Sequence, residues 1–317
     1  MVTVRIATRP GVRGRVRRPA AVSPLSALAR VVRRRLWGPL LVGPAAAMGP
    51  TGPADLQAQT WKTVTASRRV TDEDGLRVSV EYGAGSLEIR RGDPGLLYSA
   101  VFQFDADRAA PRTEYERGRL AVGLSAAGSR RADPDDWPPD TSLELALGPG
   151  LPLHLDMNFG AGRADLDLTG LALRKLAVNT GASESVIRVE EVNPEPMESA
   201  EIAVGAADLR VWGVGNLNVE RLAVKSGLGS VVLRLDGEWP RDAVLDVEMG
   251  LGALAIQVPR SLGIRLRRPG SFLAAIDTEG LEKRGDFHQS LNWAAAERRV
   301  EVEIAAVLGS VDLEWIP

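Results

Sequence analysis

The chain of 317 residues has a formal net charge of −2 and no cysteine, and its aromatic content is only 5% against 33 glycines. Without cysteine, disulfides and thiolate metal sites are excluded. Residues 1–58 hold ten of the 39 basic residues but only one of the 41 acidic ones, Asp55, so residues 59–317 (29 basic, 40 acidic) carry a net charge near −11. Such a body repels a phosphate backbone, which argues against nucleic acid as a partner.

The first 58 residues form a basic region with the order of a secretory signal. Three arginines at 33–35 precede a short apolar run at 36–48 that ends in small residues. Cleavage fits after Ala47 or after Ala58, and we prefer the second. The run is too short and too rich in proline for a spanning helix, so we expect no integral membrane span in the mature protein. An extracytoplasmic location (periplasmic, secreted or cell-surface) follows, with a disordered basic tail as the alternative.

The rest of the chain divides into strand-like regions around one linker. Residues 59–132 contain alternating runs such as "LLYSAVFQF" and "GRLAVGL", which predict a small all-β N-terminal domain. Residues 133–142 are acidic, rich in proline and aperiodic, which predicts a linker rather than a calcium loop because the spaced ligands of such a loop are missing. A second all-β domain is expected over 143–317, with an insertion near 261–298 that we interpret as a longer loop, a cap or a poorly paired coil.

A repeat of 21 to 24 residues runs through this second domain. Glycine recurs at 160, 181, 205, 227 and 250, Gly83 opens an equivalent earlier segment, and Val307 holds the same place in the last one. The sixth residue after this position is aliphatic in all seven segments: Ile89, Leu166, Ile187, Val211, Leu233, Ile256 and Leu313. The third residue before it is also apolar in all seven: Val80, Met157, Val178, Ile202, Val224, Val247 and Ile304. Alternation on both sides of the glycine predicts two half-buried strands that meet at a corner.

The repeat also decides how the glycines are interpreted. "GAG" at 160–162 lacks the third glycine of a dinucleotide-binding loop, since Asp165 follows, and a unique phosphate loop does not repeat. We therefore predict an all-β fold, a right-handed, β-helix-like solenoid whose coils place like residues in columns about 4.8 Å apart. The corners are assigned to glycines because these sites demand positive φ or an approach too close for a Cβ. The structural corner glycines are Gly83, Gly160, Gly181, Gly205, Gly227 and Gly250.

The assembled segments resemble a known family. "LHLDMNFGAGRADLDLTGLALRKLAVNTGAS" and "MGLGALAIQVPRSLGIRL" are similar to the toast-rack proteins of bacteria and to the outer domain of LiaF-like cell-wall-active-antibiotics response proteins. "LRVSVEYGAGSLEIRRGDPGLLYSAVFQFD" resembles the domain that precedes the toast rack in part of that group. The resemblance covers about residues 70–317 and implies an extracytoplasmic β-solenoid with an adhesin-like or stress-sensing role. LiaF-type proteins carry spanning helices before this domain, and none is evident here.

Enzymatic chemistry finds little support in the sequence. His154 is interpreted as a solvated strand residue, and His288, between Asp286 and Ser290, lacks the nucleophile elbow of a triad enzyme. Carboxylate pairs such as those at 165/167 and 190/191 invite a glycosidase hypothesis but are common on a charged solenoid. We expect no catalytic residue, no cofactor and no metal site.

Tryptophans stand out in a chain poor in aromatic residues. Trp212 lies seven residues after its glycine and is expected to point outward, where it stacks on a sugar or a partner or else covers a neighbouring loop. Trp239 is a second candidate for surface binding. The expected function is a non-enzymatic interaction surface of the cell envelope (adhesin, scaffold or stress accessory) that binds an envelope protein or a glycan. A solenoid carbohydrate-active enzyme, a glycan-binding module and a homo-oligomer remain alternatives.

Overall fold

The structure is a computed structural model that describes residues 3–7, 60–126, 140–268, 275–276 and 279–317. The predicted signal sequence, both cleavage sites and residues 133–139 of the predicted linker lie outside the described residues. Within the described ranges the chain forms seventeen β-strands, one short 3₁₀ turn and no α-helix. Nothing in these ranges is a helix long and apolar enough to cross a membrane.

The strands are β1 (Thr3–Ala7), β2 (Trp61–Arg69), β3 (Leu76–Arg91), β4 (Leu96–Asp105), β5 (Ala109–Glu116), β6 (Arg119–Ala126), β7 (Ser142–Leu147), β8 (Pro152–Asp167), β9 (Ala172–Arg188), β10 (Met197–Trp212), β11 (Val219–Arg234), β12 (Ala243–Pro259), β13 (Gly263–Arg267), β14 (Ala275–Ile276), β15 (Leu281–Arg284), β16 (Phe287–Ser290) and β17 (Arg299–Ile316). The 3₁₀ turn, η1, spans Val214–Leu217 and joins β10 to β11. All strands belong to one sheet.

Seven long strands form a parallel stack in the order β3, β8, β9, β10, β11, β12 and β17. They are the seven segments that the sequence repeat predicted. Leu166 pairs with Ile187, Ile187 with Val211, and the column continues through Leu233 and Ile256. All five side chains are fully buried, at 0% exposure. The all-β, solenoid-like fold is thereby confirmed, while its right-handed sense stays a prediction.

The corner lies inside one strand and does not join two. In β8 the buried side chains alternate up to Phe159 and resume at Ala164, an odd interval of five positions. In a straight strand an odd interval would place the two sets on opposite faces. Both sets nevertheless belong to one core, so the strand turns its inner face at the intervening glycines. Each long strand thus has a first arm, a corner and a second arm.

Close backbone packing accounts for the glycine column at the corners. A Cβ on Gly205 would lie 2.8 Å from the carbonyl oxygen of Gly181, and one on Gly227 would lie 2.7 Å from that of Gly205. No real Cβ tolerates a backbone oxygen this close. Positive φ belongs instead to the second glycine of the corner, as at Gly162, where φ is 119°. The close approach to a neighbouring backbone therefore accounts for the first glycine of the corner, and positive φ concerns the second. From the sequence alone, both demands were assigned to one glycine.

At the beginning of the stack, strands that are neighbours in the sheet are not consecutive in the chain. The first arm of β3 pairs in parallel with β6 and its second arm with β7, so β3 lies between these later strands and β8. Antiparallel strands continue outward from there, with β5 on β6, and β4, β2 and β1 following on β7. The strands of residues 61–126 are thus directly hydrogen-bonded to those of 142–167. The predicted division into domains at 133–142 stays a prediction.

The end of the stack has a similar arrangement. The final strand, β17, pairs with β12 along its whole length and with β13 and β14 on its other side. The insertion at 261–298 therefore supplies outer strands, and the hairpin of β15 and β16 extends β13 with antiparallel pairing. Of the interpretations of this insertion, a cap fits the described strands best. Without β13 and β14, the edge of β17 would face solvent unpaired.

Candidate functional site

Trp212 ends β10 at a place where three neighbouring coils bring their strand ends together. Its pairing partner on β9 is Arg188, and Arg234 ends β11 at the equivalent position of the next coil. Trp212 is 42% exposed, so a large apolar side chain faces solvent here. The predicted outward orientation of Trp212 therefore agrees with where its side chain lies.

The chain turns sharply directly after Trp212. Gly213 adopts φ of 73°, and its backbone N–H donates to Asp236 Oδ1 at 2.8 Å. The Val189 N–H donates to the carbonyl oxygen of Trp212 at 3.1 Å. These bonds hold the end of β10 between the preceding and the following coil, so the indole is presented from a fixed backbone.

Charged groups surround the indole on both sides. The Arg188 guanidinium lies 6.0 Å from the centre of the Trp212 ring and bonds to Asp165 on the preceding coil. That hydrogen bond raises the pKa of Arg188, so the side chain stays cationic. On the other side, Arg234 Nε lies 2.8 Å from Asp236 Oδ2. The depression between them has a volume of about 360 Å³.

We call this region the Trp212 depression; its lining includes Arg188, Glu190, Trp212, Asn216, Arg234 and Asp236. An exposed indole face offers a flat apolar platform, and the side chains around it offer donors and acceptors that fix the orientation of a ligand. This combination suits a polar molecule that also has an apolar face.

Trp239 does not take part in such a surface, and its assignment to surface binding is wrong. It is only 6% exposed, and its indole N–H donates to the Leu235 carbonyl at 2.8 Å. Its own carbonyl accepts from Arg298 Nε at 2.7 Å. Trp239 therefore fills the space beside Gly215, where a Cβ would come within 2.6 Å of the indole.

The carboxylates at 165 and 167, the first pair considered for glycosidase chemistry, are engaged by other groups. Asp165 bonds to Arg188, and Asp167 Oδ1 accepts from the Thr169 N–H at 3.1 Å. Some outward charges form ion pairs between neighbouring coils, as where Glu184 pairs with both Arg163 and Arg210. No group of three or more acidic or histidine side chains suited to a metal ion occurs within the described ranges.

The triad fragment suggested by sequence is not assembled. His288 lies on β16 opposite Leu266 and Lys283, and burial, followed by Arg268 and Lys283, lowers its pKa. Ser290 is buried, and its Oγ accepts from the Ile264 N–H at 3.1 Å. The hydroxyl thus completes the backbone bonding of β13.

Comparison with solved structures finds weak likenesses that cover most of the chain. A candidate cell adhesion protein from Clostridium sporogenes is 15% identical with a TM-score of 0.40, over 80% of this chain and 99% of that one. A candidate adhesin from Bacteroides fragilis is 11% identical with a TM-score of 0.37, over 79% and 96% of the two chains. A candidate lipid-binding protein from Parabacteroides distasonis is 12% identical with a TM-score of 0.37, over 78% and 96%.

Sequence comparison gives a clearer result. No curated protein matches the chain. The family model described as the N-terminal domain of toast_rack, DUF2154, matches residues 54–212, about half of the 317 residues. The match extends from before β2 to Trp212, so it includes the first four strands of the parallel stack, and the chain belongs to the toast-rack family.

Proposed function

We propose that this protein is an exported, non-enzymatic binding protein of the cell envelope that holds a glycan at the Trp212 depression. The observation that carries the proposal is the exposed indole of Trp212 between two arginine–carboxylate pairs. A sugar ring has apolar C–H faces and a polar rim of hydroxyls. The indole accommodates the face, and the guanidinium and carboxylate groups accommodate the rim.

The surrounding charges favour a ligand of modest net charge. Arg188 and Arg234 are each compensated by an aspartate, so the depression combines donors and acceptors without a strong field of one sign. Glycans bind to such surfaces with many neutral hydrogen bonds. The rigid backbone at Gly213 limits the conformational entropy lost on binding.

Glycan-array binding by the folded chain, followed by titration of the best glycan, tests this proposal. Trp212→Ala should abolish detectable binding or weaken it by about fivefold or more, since removal of an aromatic anchor costs about 1 to 3 kcal/mol. Trp212→Phe should retain part of the affinity because it keeps an aromatic face. Leu228→Ala, which truncates a side chain of similar exposure (48%) at a corner, is the matched control.

Several results would overturn the proposal or replace it. Equal glycan binding by wild type and Trp212→Ala removes this residue from the site. Binding to an envelope protein with the same dependence on Trp212 replaces the glycan with a protein partner. Release of cleaved sugar by the wild-type chain favours the carbohydrate-active enzyme.

Export and assembly need separate measurements. Fractionation of cells that express the full chain should recover it outside the cytoplasm, with a shortened N-terminus that mass spectrometry places at Met48 or Gln59. The narrower roles of adhesin, scaffold or stress accessory depend on the identity of the captured partner. Size-exclusion chromatography with and without residues 261–298 tests for homo-oligomers; charged residues and Pro111 on the outer strands β5 and β15 disfavour edge-to-edge pairing.

A further inference from the structure

A row of four cationic or protonatable side chains crosses four adjacent strands near the start of the stack. Arg77 on β3 pairs with Arg119 on β6 and with His154 on β8, and His154 pairs with Lys175 on β9. Neighbouring strands lie about 4.8 Å apart, so the row extends over about 14 Å. The three residues at full positive charge are exposed and His154 is half-buried. We call this arrangement the cationic row.

Such a row is unfavourable in the free protein. Like charges directly opposite each other destabilise a sheet. At other places in the stack, neighbouring coils bring opposite charges together, as Arg163 with Glu184 and Lys225 with Glu201. Within the described part of the chain, Arg77, Arg119 and Lys175 form no ion pair with a carboxylate. Burial is the main reason that the pKa of His154 is lowered. The positive charges of Arg77, Lys175 and Arg174 lower it further, in agreement with a positive local field.

A trough lies beside the row and leaves room for a ligand. Two residues further along the same strands, the outward positions hold Ala121, Ser79, Asp156 and Ala177. Three of these side chains are small, so the sheet surface is open there. The trough has a volume of about 780 Å³, within the range of ligand sites, and β5 forms its wall.

Three carboxylates also line the trough, and two of them are engaged by other groups. Glu114 accepts from Arg112 Nε and Nη2 at 3.1 and 3.0 Å, and Asp156 Oδ1 accepts from the Asn158 amide at 3.2 Å. Glu116 lies opposite Arg119 across β5 and β6 without forming an ion pair with it. The cationic row therefore retains donors for an incoming anion.

We propose that this trough binds a linear oligoanion, a molecule with two or more carboxylate or phosphate groups spaced so that each reaches a different member of the cationic row. Arg77 and Arg119 offer planar guanidinium groups that hold oxyanions through paired hydrogen bonds. Lys175 adds a point charge at the far end, and His154 adds a ring N–H between them. The site lies on the first arms of the coils, whereas Trp212 ends a second arm, so this inference does not depend on the glycan proposal.

Isothermal titration of the full chain at low ionic strength, with three probes, tests the proposal. The probes are inorganic phosphate, tripolyphosphate and trigalacturonate. At least one of the two oligoanions should bind clearly more tightly than inorganic phosphate, and its affinity should fall as salt is added. Tripolyphosphate binding alone identifies a phosphate ligand, and trigalacturonate binding alone identifies a carboxylate ligand. Absence of binding by both oligoanions, or equal affinity for inorganic phosphate, would overturn the proposal.

Variants locate the bound anion. Arg77→Gln removes the central charge and should weaken binding of the oligoanion about tenfold or more, because charge-assisted hydrogen bonds are lost. Lys175→Gln should also weaken binding of the oligoanion. It provides a second test if Arg77→Gln folds poorly. Arg163→Gln removes an exposed cation on a second arm and should leave the affinity unchanged. Equal affinity in wild type and Lys175→Gln, or an equal loss in Arg163→Gln, would place the anion elsewhere.

Discussion

Asn193 and Leu173 exchange two hydrogen bonds, with the side-chain amide of Asn193 acting as a strand backbone would. Its Oδ1 accepts from the Leu173 N–H at 2.8 Å, and its Nδ2 donates to the Leu173 carbonyl at 2.8 Å. Nδ2 also lies 3.2 Å from the Leu217 carbonyl in the following coil. Asn193 is 2% exposed, so one buried amide connects the start of β9, the segment between β9 and β10, and the turn η1.

We predict that Asn193→Ala lowers the free energy of unfolding by about 2 to 3 kcal/mol, because it leaves buried backbone groups of Leu173 without partners. Asn179→Ala is the matched control, since this asparagine is exposed and its amide reaches only another exposed asparagine. The control should change stability by about 0.5 kcal/mol or less. Urea denaturation measures both, and equal losses would contradict the connecting role of Asn193.

Two leucines in adjacent coils provide a direct test of the stacked core. Leu233 is completely buried in its column, whereas Leu251 at a corner is 44% exposed. Leu233→Ala should cost about 2 to 5 kcal/mol because it opens a cavity in a closely packed layer. Leu251→Ala should cost a small fraction of that. Similar urea midpoints for the two variants would mean that the columns do not form the core.

The corner column predicts strong intolerance to a single methyl group. Gly227→Ala places a Cβ about 2.7 Å from the Gly205 carbonyl oxygen, so neighbouring coils must separate. We expect a loss of about 1 to 3 kcal/mol, typical of overpacking. Ser230→Ala, on the same strand beyond the corner, should stay within about 0.5 kcal/mol of wild type. Thermal unfolding followed by circular dichroism compares them, and an unchanged Gly227→Ala melting temperature would refute close packing at the corner.

Stability should fall in acid because of Glu73, in the turn between β2 and β3. Burial raises the pKa of this carboxyl, but hydrogen bonds from the Thr71 N–H at 2.7 Å and the Tyr115 hydroxyl at 2.8 Å help lower it to about 2. A lowered folded-state pKa stabilises the fold above the ordinary value of 4.5, and this stabilisation is lost as the pH falls from 4.5 towards 2.

Glu73→Gln should therefore be less stable than wild type at pH 7 and should lose less stability between pH 4.5 and pH 2. Tyr115→Phe should show an intermediate effect, since it removes one of the hydrogen bonds to the carboxylate. Urea midpoints measured across this pH range test the prediction. An identical acid dependence in Glu73→Gln and wild type would contradict it.

Much of the stack could be predicted because its information is local and repeated. The aliphatic column through Leu166 and Ile187 follows from period-two alternation within each strand and from a nearly constant interval between strands. The close approach at Gly205 also follows, since a column of glycines implies that backbones nearly touch. Neither inference requires knowledge of remote pairing.

Other features were not visible in the pattern. Nothing near Asn193 in the sequence indicates its bonding, because its partners lie 20 and 24 positions away, at the start of β9 and in the turn η1. The sequence also does not reveal the burial of Trp239, because burial of a residue outside the strands depends on which loop covers it. A regular repeat in the segments that connect successive long strands could have revealed the buried amides. These connecting segments differ in length from coil to coil, so no such repeat is present.

The sequence by itself determined the seven repeated segments, the columns of buried aliphatic residues and the glycine corners, because these depend on side-chain alternation and spacing along the chain. Only the tertiary structure decided that further strands pair with the outer sides of β3 and β17, and that Arg119, Arg77, His154 and Lys175 stand in one row. Most of these relationships join strands that are not consecutive in the chain, and hydrogen-bond pairing between such strands is selected by the packing of the whole sheet.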